Sequence, residues 1–112
     1  MKPVTLDPQD PFERVITEMV ALNRLKRADY AGASDNVFQN FYDSAYQLGQ
    51  SGGHSVEQLI GTKQSRLRTL LPMFWSRKGR PKNEGIRDTL LDRAVYSAIS
   101  VGIWDEGGYD LS

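Results

Sequence analysis

From Ala94 to Trp104 the chain carries no charged residue, and its apolar positions, among them Val95, Ile99, Val101, Ile103 and Trp104, run nearly all the way round a helix. A helix that is apolar on every side has to be buried. This segment therefore constrains the fold more than any other, because the remaining elements must be arranged to cover it. The residues ahead of it have a different character. Glu84, Asp88 and Asp92 recur every four residues, which stacks them on one helical face at the edge of that core. Three acids on one face repel one another and gain nothing unless a cation, whether Lys, Arg or a metal ion, sits among them.

The elements that cover this helix are legible by spacing. Asp10 is a good N-cap, Pro11 suits the first helical position and Glu13 the first turn. The stripe Phe12, Val15, Ile16, Met19, Val20 and Leu22 then predicts a helix to about Arg27. Val37, Phe38, Phe41, Tyr42, Ala45 and Leu48 predict a second, from about Asn36 to Leu48. Gly49 to His54 reads as a flexible turn with His54 at the surface, and Ser55 with Gln58 as a capping box for a third helix that carries Val56, Leu59, Ile60, Leu67, Leu70 and Leu71. That helix is expected to stop near Pro72. With no strand signal and no repeat, the fold class expected of 112 residues is all-α, a single-domain compact bundle of about four helices. Residues 1–9 are expected as an extended arm and 105–112 as a flexible tail.

Composition removes several chemistries. There is no cysteine and one histidine, His54, so neither an ordinary zinc site nor a Ser-His-Asp arrangement can be assembled with an identifiable partner. Any metal has to be a hard ion held by carboxylates, which makes Mg²⁺ the candidate. Lys plus Arg and Asp plus Glu are 14 each, so net charge gives no general case for nucleic acid and only local clusters can make one. No stretch approaches the roughly 18 uncharged residues of a membrane span, and Met1-Lys2-Pro3-Val4 is not followed by the apolar core of a secretory signal. A cytoplasmic protein without membrane contact is expected.

Each candidate site has two readings. Asp88 and Asp92, with Glu84 at the rim, are either a Mg²⁺ site whose ion bridges nucleotide phosphates or half of an ion-pair network with Lys63 and Arg66, which lie three apart on the preceding helix. Lys26, Asp29 and Tyr30 end the first helix; they either close it and lid the core, or supply a phosphate contact, a carboxylate and a stacking ring. Asn36, one turn from Asn40, is a base-edge reader or, in preference, a helix cap. The loop after Trp75 holds Arg77, Lys78, Arg80 and Lys82, either a solvated basic loop or a weak contact for nucleic-acid phosphates.

Three clusters occur in one order with helix-length gaps: Lys26-Arg27-Ala28-Asp29-Tyr30 with Gly32, then Gly61-Thr62-Lys63-Gln64-Ser65-Arg66-Leu67, then Glu84 through Asp92. Together with Asn36, Phe38, Asn40 and Phe41, this order resembles the phage-associated helical family called nucleotide modification associated domain 1, over roughly residues 12 to 104. The resemblance implies a phage-type nucleotide-binding protein associated with nucleotide or DNA-base modification, and the expected place for its nucleotide is a cleft between the first, third and fourth helices. A looser similarity is to all-α nucleotide pyrophosphatases of the MazG type, which hold Mg²⁺ on helical carboxylates, cleave nucleoside triphosphates and are commonly completed by dimerisation. Their usual first Glu-x-x-Glu pair is missing here: Glu13 and Glu18 are five residues apart, about 140° around a helix, and do not converge. A homodimer is expected, because Phe74, Trp75 and Trp104 near helix ends suit burial against a second copy. The alternative is a non-catalytic binding or interaction module whose charged cluster is structural.

Overall fold

Asp10 starts the first helix as its spacing predicts. Its Oδ1 accepts hydrogen bonds from the Phe12 N–H at 2.9 Å and the Glu13 N–H at 3.1 Å, two donors that would otherwise be orphaned at a helix N-terminus. The computed structural model describes residues 2–30, 37–76 and 83–111, with the side chains at 28–30, 83 and 84 outside that description. Among the described residues the structure is all-α, with four helices and no strand: α1 Pro11–Tyr30, α2 Gln39–Gln47, α3 Gly52–Ser76 and α4 Asn83–Asp105. No helix among them is long and apolar enough to cross a membrane.

The chain divides into two compact units, Met1–Val37 and Phe38–Ser112. In the first, residues 2–7 have no regular structure and lead into α1, which runs three residues beyond the expected end at Arg27. Val15, Ile16, Met19 and Leu22 of its apolar stripe are half-buried. Phe12, in the first turn, and Val20, at the edge of the stripe, are exposed.

The second unit holds the core. Phe41 of α2, Val56 of α3 and Ile103 of α4 are buried together, with Phe38, Tyr42, Leu59, Ile60, Tyr96, Ile99 and Tyr109 packed around them. The helix α3 lies along α4, and α2 packs on α3. The two long helices run antiparallel: the Gly53 N–H at the start of α3 donates to the Gly108 carbonyl beyond the end of α4 at 2.9 Å, while Lys63, farther along α3, meets Asp92, nearer the start of α4.

Two glycines stop helices in the same way. Gly49, at φ +64°, and Gly107, at φ +76°, occupy the left-handed region that side chains disfavour. After α2, the Gly49 N–H reaches the Tyr46 carbonyl and the Gln50 N–H the Ala45 carbonyl; after α4, Gly107 reaches Trp104 and Gly108 reaches Ile103. These nested pairs are Schellman motifs, which satisfy carbonyls that a helix end leaves bare.

Besides the end of α1, and the start of α2 at Gln39 where about Asn36 was expected, three boundaries depart from sequence expectation. Ser55 does not cap α3; Ser51 does. The His54 N–H donates to Ser51 Oγ at 3.2 Å and the Ser51 N–H donates to His54 Nδ1 at 3.4 Å. This is a capping box with histidine in the position usual for Glu or Gln, so His54 belongs to the first helical turn and not to a loop. Pro72 does not end α3 either, because the helix continues to Ser76. A proline removes one hydrogen bond, here the one to the Arg68 carbonyl, but leaves the N–H groups after it free to continue the ladder. The third departure is the expected tail, where residues 106–109 form turns and Gly108 is buried.

Burial of α4 is also less complete than its composition suggests. Val95 and Ile103 are buried, but Val101 is 60% and Trp104 67% exposed. The described helices of this unit cover only part of the circumference of α4, and the Trp104 ring finds a partner in Tyr109, tilted at 59° with centroids 5.6 Å apart.

Candidate functional site

Of the residues singled out by spacing, the structure brings two together. Lys63 Nζ on α3 stands 3.1 Å from Asp92 Oδ2 on α4, with the two side chains 22% and 23% exposed. Helical spacing produces the meeting. Lys63 follows Leu59 and Ile60, which pack on the core, and precedes the buried Leu67 by one turn; Asp92 precedes the buried Val95. Both charges therefore sit at the margin of the core, half desolvated, where an ion pair is screened less than at the open surface. Asp92 also has a further interaction.

Arg66 and Asp88 lie one turn from this pair on their own helices, and the antiparallel run of α3 and α4 puts them on the same side of it along the axis. Both are exposed. Among the described residues they form no ion pair, so the described part of the expected network is the Lys63–Asp92 bond. Between Asp88 and Asp92, Thr89 is buried and turns its hydroxyl back to the Gly85 carbonyl at 2.7 Å. That bond satisfies the hydroxyl locally and keeps it out of the cluster.

The other candidates are described singly. Lys26 is half-buried on α1 and has an interaction of its own. The side chains of Asp29, Tyr30 and Glu84, and all of Asn36, Arg77, Lys78, Arg80 and Lys82, lie outside the described residues. Asn40 is exposed on α2. Among the described residues no three carboxylate or histidine groups gather as a metal cage. Asp88 and Asp92 are nevertheless hard oxygen donors one turn apart, and magnesium at phosphate sites ordinarily takes one or two protein carboxylates and keeps its waters.

No protein-family model, curated protein or solved structure matches the chain. Its chemistry has therefore to be argued from its own residues. An ammonium in contact with one carboxylate keeps two N–H donors, and the neighbouring guanidinium keeps five. Lys63 and Arg66 thus present a row of donors fitted to an anion with several oxygens, such as a phosphate chain.

Two further polar pairs escaped attention in the sequence, and both are aromatic. Tyr42 donates its hydroxyl to Glu106 Oε2 at 3.0 Å, and Tyr109 donates to Glu57 Oε1 at 2.7 Å. Burial first, then the bond to a carboxylate and its negative charge, push both phenols above their ordinary pKa. Neither pair has a local sequence signal, because its members are 64 and 52 residues apart.

Proposed function

We propose that the chain is a nucleotide-binding protein of the kind associated with nucleotide or DNA-base modification, and that the α3–α4 face around Lys63 and Asp92 receives the nucleotide's phosphates. Lys63 and Arg66 donate to phosphate oxygens, and Asp88 and Asp92 would hold a magnesium ion, which would neutralise phosphate charge and, were the nucleotide hydrolysed, supply an activated water. A cytoplasmic location accords with such a ligand.

The observation that carries this reading is the 3.1 Å contact between Lys63 and Asp92. It joins the second and third of the ordered sequence clusters on which the family resemblance rests. A partly exposed ion pair is worth about 0–1 kcal/mol to a fold, so stability alone is weak reason to place it at the core margin with another cation and another acid exposed one turn away.

The test is thermal unfolding against a panel of deoxy- and ribonucleotides, each with and without Mg²⁺. A ligand at about 100 times its dissociation constant adds roughly 2.7 kcal/mol. A Mg²⁺-dependent shift with one nucleotide class, lost in Asp92→Asn and Lys63→Met while the unliganded proteins change by no more than about 1 kcal/mol, supports the reading. Loss of several kcal/mol in both variants, with no nucleotide shift in the parent, leaves a structural ion pair.

A second reading, a non-catalytic interaction module, is favoured by the exposure of Val101 and Trp104 at the uncharged end of α4. A homodimer belongs to that reading, and light scattering across a concentration series tests it.

A further inference from the structure

Around α3 from Lys63, on the side away from Arg66, lies a groove that this nucleotide site does not use. It has a volume of about 450 Å³, and its residues alternate in chemistry along one helical face. Gln64, Arg68 and Trp75 come from α3, Arg93 comes from α4, and Leu67 and Leu71 form an apolar floor. The stripe from Gln64 to Trp75 covers twelve residues, about 16 Å of helix at its ordinary rise. Trp75 is 70% exposed, so a face of its ring is available to a ligand.

The groove's charge has one sign. Among the described residues its lining has two guanidinium groups and no carboxylate. Among the described residues neither Arg68 nor Arg93 is in an ion pair. Unpaired arginines on both walls, an apolar floor between them and an indole at one end suit a ligand that carries regular negative charge and flat apolar rings together. Each of those three features answers one part of a nucleotide chain. From them we infer that the groove binds single-stranded nucleic acid, with phosphates against Arg68 and Arg93 and a base stacked on Trp75. A duplex fits poorly, since its bases are already stacked on one another and present no free face to an indole. An acidic peptide would meet the arginines but has nothing to place on Trp75. The site stands apart from the nucleotide reading, because neither Lys63 nor Asp92 lines it.

The experiment is a fluorescence titration of the full chain with oligothymidylate at several salt concentrations. The chain has two tryptophans, so Trp104→Phe leaves Trp75 as the only indole reporter. Stacking quenches its emission. In the parent chain, Trp75→Ala weakens binding of a labelled strand by roughly 5- to 100-fold. Arg68→Gln and Arg93→Gln each lower the slope of log affinity against log salt by about 0.7. Arg68 is exposed, so its variant keeps the fold and remains informative if Arg93→Gln does not. Mononucleotide-induced thermal shifts are unchanged in Trp75→Ala, which separates this site from the one proposed above. No quenching in the Trp104→Phe protein overturns the inference. So does an unaltered salt slope in Arg68→Gln, or equal competition by poly-glutamate.

Discussion

The Tyr109 hydroxyl donates a 2.7 Å hydrogen bond to Glu57 Oε1, and its ring lies on Gly53, so the turn after α4 is fastened to the first two turns of α3. Tyr42 repeats the device from the other side: its ring covers Gly52 and its hydroxyl donates to Glu106. Both phenols sit above their ordinary value of 10.0, chiefly through burial.

Folding therefore favours the neutral hydroxyls, and the stabilisation has a definite pH window. It is complete below about pH 10, the unfolded value of a tyrosine, and is lost as pH rises through the raised folded values. Melting temperature measured from pH 8 to pH 11.5 should fall steeply above pH 10. Tyr42→Phe and Tyr109→Phe should each start about 1 kcal/mol lower, from the lost hydrogen bond, and fall less steeply. A parent and variants with superimposable alkaline slopes would show that the phenols do not control it.

The same contacts give opposite signs to glycine substitutions. A Cβ on Gly53 would stand within the Tyr109 ring, which Glu57 holds in place, whereas one on Gly61 or Gly85 meets none of the described residues within 4 Å. Gly53→Ala should cost about 1–3 kcal/mol as an overpacked contact. Gly61→Ala and Gly85→Ala should each add up to about 1 kcal/mol, because glycine inside a helix loses more backbone entropy than alanine. Urea denaturation midpoints of the three variants check both directions.

The histidine cap makes a third prediction. His54→Ala removes the acceptor of the Ser51 N–H and should cost about 1 kcal/mol, and Ser51→Ala about the same. His54→Gln restores the usual capping-box partner and should return most of that stability. If His54→Gln is as unstable as His54→Ala, the ring nitrogen contributes no capping, and its loss is one of packing.

What was legible in the sequence was local. Asp10-Pro11 announced the start of α1 because a cap and its acceptors are within three residues. The apolar spacing of Phe41, Ala45, Val56 and Ile103 located the core helices because burial of one helical face leaves a period of 3.6. Boundaries failed where two local signals competed. Both Ser51 and Ser55 are followed three residues later by a side chain able to accept a backbone N–H, and the glycines at 52 and 53 read as a turn. They are in the helix because Tyr42 and Tyr109 need their bare backbone. Asp92 with Lys63 was legible as a pairing of opposite charges on consecutive helices. Arg66 and Asp88 have the same spacing but face outward, since rotational position on a helix decides burial and residue type alone does not. Of the groove, Trp75 was legible as an aromatic beside basic residues, whereas Arg68 and Arg93 had no signal, because they come from two helices.

The fastening of residues 106–109 onto α3 also sets an order of events. Lys63 and Asp92 lie on neighbouring helices 29 residues apart in number, whereas Tyr42 reaches Glu106 across 64. Closing the longer loop costs more chain entropy, so the α3–α4 hairpin gathers first and the two tyrosines latch it afterwards. A latch made last opens first. The Gly53 N–H, donated to the Gly108 carbonyl at 2.9 Å, is then the amide whose deuterium exchange times that opening, separately from the unfolding of the core around Val56 and Ile103.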